Sequence, residues 1–141
     1  MMTPRIRRIL AVLAVAVLAI PINIGLSSPA AAAFGDETFG CRVSPGTDLT
    51  WRTHCMNNLP SASYVAGFAL LNTTGSYTFS WSISGSHNGI LSGCTSTSSD
   101  CALHVSDGSS VTVTVTYSQG GQSRTQSAAA TIIPYCGPMP C

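Results

Sequence analysis

Tyr77-Thr78-Phe79-Ser80-Trp81-Ser82-Ile83 and Ser110-Val111-Thr112-Val113-Thr114-Val115-Thr116-Tyr117-Ser118 are the segments that decide the fold. In both, apolar and hydroxyl side chains alternate without a break. Successive side chains of a strand point to opposite faces, so each segment reads as a strand with one buried and one wet face. Tyr77, Phe79, Trp81 and Ile83 share a face of the first; Val111, Val113, Val115 and Tyr117 share a face of the second. Burying aromatics of this size contributes about 2–3 kcal/mol each.

Working outward, residues 64–71 (YVAGFALL) are apolar on both parities and belong in the middle of a sheet. Gly67 leaves a gap there for a large neighbour, with Trp81 the candidate. Asn88-Gly89 predicts a hairpin turn after the aromatic strand. Residues 90–93 and 102–105 read as two short strands, and Asp107-Gly108 as a turn. Gly120-Gly121 joins the Val/Thr strand to a last strand over residues 124–133, with Ala128, Ala130 and Ile132 inward. Residues 34–60 are the least regular: a first strand over 38–43, a turn at Ser44-Pro45-Gly46, an edge piece over 49–53 and a loop over 57–61. Short strands with polar turns and no helical period predict an all-β, antiparallel sandwich of about 6–8 strands.

The N-terminus has a different character. Arg5, Arg7 and Arg8 precede an apolar run over residues 9–20, which Pro21 and Asn23 interrupt before Ala31-Ala32-Ala33. A basic start, a short apolar run and a small-residue site read as a secretory signal peptide over residues 1–33, cleaved after Ala33. The run is too short for a membrane-spanning helix, which needs about 20 apolar residues. Residues 34–141 then form one domain outside the cell, with no membrane span. Its charged residues are Arg42, Arg52 and Arg124 against Asp36, Glu37, Asp48, Asp100 and Asp107, a net charge of −2. A lysine-free, weakly acidic surface argues against nucleic acid and anionic membranes, which need a basic patch.

All six cysteines, Cys41, Cys55, Cys94, Cys101, Cys136 and Cys141, fall in this domain. An even count in a secreted chain reads as three disulfides, and no C-x-x-C pair suggests metal. Between Cys94 and Cys101 lies Thr95-Ser96-Thr97-Ser98-Ser99-Asp100, which cannot hold itself by packing. A Cys94–Cys101 bond would clasp it, at about 2–3 kcal/mol in the loop-entropy model. Cys41 and Cys55 bracket the irregular region and would pin it. Cys136 and Cys141 tie the tail to itself or to the N-terminal region, and spacing alone does not choose.

At the aromatic and Val/Thr strands, followed by Gly120-Gly121, the chain resembles extracellular domains of the immunoglobulin-like and PKD-like type. Ser92-Gly93-Cys94 to Cys101 and Tyr135-Cys136-Gly137 resemble a group of small secreted bacterial proteins. The resemblance spans most of residues 38–137. It implies an immunoglobulin-like sandwich in which the Trp strand lies against the Val/Thr strand, and it implies no activity. Antibody-type domains bond two core strands, but residues 64–71 and 111–118 hold no cysteine, so the disulfides should be peripheral.

No catalytic or metal constellation is legible. His104 lies close in sequence to Asp107 among many serines, but there is no G-x-S-x-G elbow and no D-x-D cluster. No enzyme activity and no cofactor are expected. The function expected is a non-catalytic binding or adhesion module, free or associated with the envelope, whose partner is an extracellular protein or a cell-wall glycan. Candidate contacts are Trp51, His87 and Asn88, and Thr95, Ser96 and Thr97 of the clasp. Trp51 reads either as a ligand platform or, preferably, as a lid on one end of the core. The alternative function is a peptidase inhibitor presenting a rigid loop, either the clasp or residues 137–140.

Overall fold

The computed structural model describes residues 33–136 and 139–141. Apart from Ala33, the expected leader lies outside the described residues, as do Gly137 and Pro138.

Eight strands form two four-stranded sheets. They are β1 (Thr38–Ser44), β2 (His54–Met56), β3 (Tyr64–Leu71), β4 (Thr78–Gly85), β5 (Gly89–Gly93), β6 (Asp100–Val105), β7 (Ser110–Gln119) and β8 (Gln122–Thr131). The first sheet has the order β1-β3-β6-β5 and the second β2-β8-β7-β4. Pairing is antiparallel except between β2 and β8. A small ladder joins β9 (Tyr135–Cys136) to β10 (Met139–Pro140). The fold is an all-β sandwich.

The alternating segments behave as their period dictates. β4 pairs with β7, setting Trp81 opposite Val115, and β7 continues into β8. Gly120 and Gly121 both have positive φ, 58° and 81°. A two-residue hairpin turn of this type needs φ > 0 at both positions. Val111, Val113, Val115 and Tyr117 are at most 1% exposed and face Ala66, Phe68, Leu70 and Leu103 of the other sheet within one core. Ala128, Ala130 and Ile132 complete it from the β8 side.

Three details differ from the sequence reading. The Asn88-Gly89 turn does not make a hairpin: β4 and β5 belong to different sheets, so residues 86–88 cross between them. Gly67 faces outward, and a Cβ placed on it would meet nothing within 4 Å, so Trp81 does not fill it. Asn57, expected in a loop, is buried and extends the β2–β8 ladder: its Nδ2 donates to Ile133 O (2.9 Å) and its Oδ1 accepts from Ile133 N–H (2.6 Å).

Three disulfides join Cys41 to Cys55, Cys94 to Cys101 and Cys136 to Cys141. All lie at edges or ends of the sheets. The first is nevertheless buried, and it fastens edge strand β1 of one sheet to edge strand β2 of the other. On the opposite flank the 94–101 clasp does similar work. Phe79 N–H on β4 donates to Ser96 O (2.9 Å) and Leu70 N–H on β3 to Ser99 O (2.8 Å). The Trp81 indole N–H donates to Thr95 O (3.0 Å). Both open flanks of the sandwich are thus closed by a cysteine-bonded segment.

Candidate functional site

The residues singled out from sequence do not converge. Thr95, Ser96 and Thr97 sit at the pole where β3 ends and β4 begins. Their side chains are exposed, yet the carbonyls of Thr95 and Ser96 are committed to the scaffold. His87 and Asn88 lie at the other pole, where Asn88 N–H donates to His104 O and Asn88 Nδ2 to the Ser106 hydroxyl. His87 Nδ1 accepts from Gly89 N–H (3.2 Å). Trp51 lies along the β1 edge, where Cys41 and Arg52 exchange two backbone hydrogen bonds.

Trp51 is not a lid on the core. It is half-buried and lies outside the buried cluster and the side chains packed against it. Its backbone crosses Gly40, whose alternation with inward Phe39 and Cys41 turns its missing side chain outward. A Cβ on Gly40 would stand 3.0 Å from Trp51 Cβ and 3.1 Å from Arg52 N. Gly40→Val should therefore lift residues 51–52 off β1. Amide hydrogen exchange at Arg52 would rise by at least about tenfold if that bridge opens by about 1.4 kcal/mol, whereas unchanged exchange would refute the close approach.

Arg42 lies on the same outer face, its guanidinium carbon 4.1 Å from the Trp51 ring centroid. This stacking holds a long, flexible side chain in one place. Beside it is a cleft of about 260 Å³ lined by Arg42, Val43, Ser44, Gly46, Asp48, Leu49, Val65 and Gly67. Register explains the hollow: Arg42 on β1 lies opposite Gly67 on β3, and Gly67 lies opposite Ala102 on β6. Two small residues in a row leave the sheet surface low, while the 44–49 segment rises beside it.

The charges here are unequal in their commitments. Asp48 Oδ2 accepts from Arg52 Nε at 3.0 Å, and its Oδ1 accepts from Thr50 N–H at 2.9 Å. The Thr50 hydrogen bonds, aided by Arg52, hold the Asp48 carboxyl below its ordinary pKa. Among the described residues, no group accepts a hydrogen bond from Arg42; the Trp51 ring is its partner. Its donors are free in a half-buried position.

Two larger hollows have less to offer. One of about 320 Å³ is lined by Asp48, Arg52, His54, Asn57 and Asn58, but their polar groups are spent on each other or on Thr131, Ile133 and Thr47. One of about 380 Å³ beside the clasp is lined by Thr73, Ser76, Thr97 and Ser99 with the flanks of Tyr77 and Phe79, and presents no charge.

A second polar cluster lies at the clasp pole. Glu37 is 5% exposed. Its Oε1 accepts from Tyr77 OH (2.6 Å), and its Oε2 from Gly35 N–H (2.7 Å) and Tyr117 OH (3.4 Å). Gln126 Nε2 donates to Glu37 O and Tyr117 OH, and its Oε1 accepts from Phe39 N–H. Burial raises the Glu37 pKa, but the hydrogen bonds outweigh it and leave the carboxyl below its ordinary value. Every donor around it is committed, so this cluster is a fastening for the 34–37 segment.

Sequence reading missed Arg42, Leu49, Val65 and Gly67. The usable signal was Gly67: a glycine inside a strand marks close approach or a hollow, and only pairing register shows which. Among the described residues no group of three or more His, Cys, Asp or Glu is placed to hold a metal. His104 is half-buried on the outer face, opposite Val65. Comparison with protein-family models, with curated proteins and with solved structures returned no match.

Proposed function

We propose that this chain is a secreted, non-catalytic binding module built on an immunoglobulin-like or PKD-like sandwich, and that it takes its ligand in the Arg42–Gly67 cleft. The observation that carries this reading is an uncommitted guanidinium, stacked on Trp51, beside an apolar hollow floored by glycine. Pockets of this make-up, apolar with a few placed polar groups, are where binding concentrates. The partner is an extracellular protein or a cell-wall glycan. Secretion is supported by the leader-like N-terminus and by three disulfides in so small a domain. The alternative, a peptidase inhibitor, has less behind it, because residues 95–100 of the clasp carry only small side chains and offer a protease pocket no large anchor.

Gly67→Leu gives a clean test. Its side chain would enter open space at a strand position without positive φ, so the fold should keep its melting temperature while the cleft is filled. Retention of the wild-type chain, but not of Gly67→Leu, on insoluble cell-wall glycan or on a defined extracellular protein supports the site. Equal retention of both chains places binding elsewhere and removes the proposal.

A further inference from the structure

We infer that the Arg42–Gly67 cleft recognises the free C-terminal carboxylate of a peptide whose last residue is small and apolar. This rests on the binding-module reading and adds the class of ligand.

Charge points to an anion. Arg42 contributes the free positive charge of the cleft, because the Asp48 carboxylate is paired with Arg52 and bonded to Thr50. The domain is otherwise acidic, and Arg42, hydrogen-bonded to no group among the described residues, keeps its donors available to an anion. A planar guanidinium with a fork of N–H donors matches a carboxylate in two parallel hydrogen bonds. The Trp51 stack presets that fork, which lowers the ordering cost on binding.

Shape restricts the anion to one with a compact apolar body. Val65 and Leu49 wall the cleft, and Gly67 leaves its floor bare. About 260 Å³ is below the usual range for whole drug-sized ligands, about 300–1,000 Å³, and accommodates roughly one residue. Sulfate or phosphate would leave the apolar walls unused. A chain end suits the site better than a free acid, because Leu49, 74% exposed, continues the apolar wall past the cleft and would meet the penultimate residue.

The test uses the residue 34–141 chain with its disulfides formed and follows the Trp51 indole N–H and the Val65 and Gly67 amides by NMR. Probes are N-acetyl-Ala-Ala with a free carboxylate, its C-terminal amide, and propionate. The peptide acid should shift these three signals and leave the Thr95–Thr97 amides still. Amidation, or Arg42→Gln, should weaken binding by about tenfold or more, since a hydrogen bond to a charged group is worth about 1.5–3 kcal/mol. Arg42→Lys keeps the charge without the fork and should fall between. Equal binding of acid and amide overturns the carboxylate assignment but leaves a ligand cleft. Propionate binding as tightly as the peptide acid overturns the chain-end assignment. If no probe moves the three signals, the inference is wrong, and the Gly67→Leu retention assay still decides the binding-module reading independently.

Discussion

Replacing Cys41 and Cys55 together by alanine should lower the unfolding free energy by about 3 kcal/mol or more, a fall of about 10–20 °C in melting temperature for a domain of this size. The loop they close spans 14 residues, which the chain-entropy model values at about 3 kcal/mol. Their place in the fold adds to this. Cys41 is fully buried on β1 and Cys55 is 8% exposed on β2, so the bond crosses from one sheet to the other at a flank that β1 and β2 must close. Without it, β2 keeps three residue pairs with β8, and the bridge at Arg52 is left to hold the 47–53 segment to β1. The matched control is Cys136→Ala with Cys141→Ala. That bond closes a short ring within the tail and joins no strand of either sheet, so the main transition should move by less than about 1 kcal/mol. Chemical unfolding of the two double variants separates the cases. Equal losses would show that the inter-sheet position of the first bond is energetically irrelevant.

What was legible in the sequence follows from the range of the forces involved. Period-2 alternation is local, so β4 and β7 could be placed from their own residues, and the double glycine at 120–121 named its own turn. The Ser/Thr composition of the clasp likewise implied a bond at its ends. Sheet membership is not local. Asn88-Gly89 has the composition of a hairpin turn, yet β4 and β5 part because each hydrogen-bonds to a different neighbour: β7 for one, β6 for the other. The cleft is less local still. It needs Arg42, Leu49 and Gly67 from three separate segments, and it depends on which residue lies opposite Gly67 in register. The clasp was a plausible contact surface while its loop looked unsupported. Its backbone hydrogen bonds to β3 and β4 also give it a structural task.

Acid should unfasten the N-terminal corner before it affects the rest of the domain. Glu37 accepts hydrogen bonds from Tyr77, Gly35 and Tyr117, and these hold its folded pKa below the ordinary 4.5 although burial acts the other way. A carboxyl with a depressed folded pKa contributes stability that is fully present above its unfolded value. That contribution is lost as pH falls through the folded value. Wild-type stability should therefore be level from neutral pH to about pH 5 and decline below the Glu37 unfolded value. Glu37→Gln removes this titration. It also turns an amide N–H₂ toward groups that were donating, so its cost at pH 7 should be about 2–3 kcal/mol, the range for losing a charge-assisted bond and leaving a buried donor unpaired. The gap between the two proteins should then narrow as pH drops, because the wild type loses what the variant never had. The other groups facing Glu37 do not mimic this. Tyr77 and Tyr117 are raised by burial and by Glu37 itself, so they stay neutral throughout the acid range. Arg124 donates to Gly35 O and lies over Phe34, outside the ring of donors to Glu37. Asp36 Oδ2 accepts from Ala33 N–H, outside the buried ring of donors. Unfolding measured from pH 7 to pH 2 on both proteins tests the point. A gap independent of pH would mean that the buried carboxylate's charge is not what ties residues 34–37 to β7 and β8.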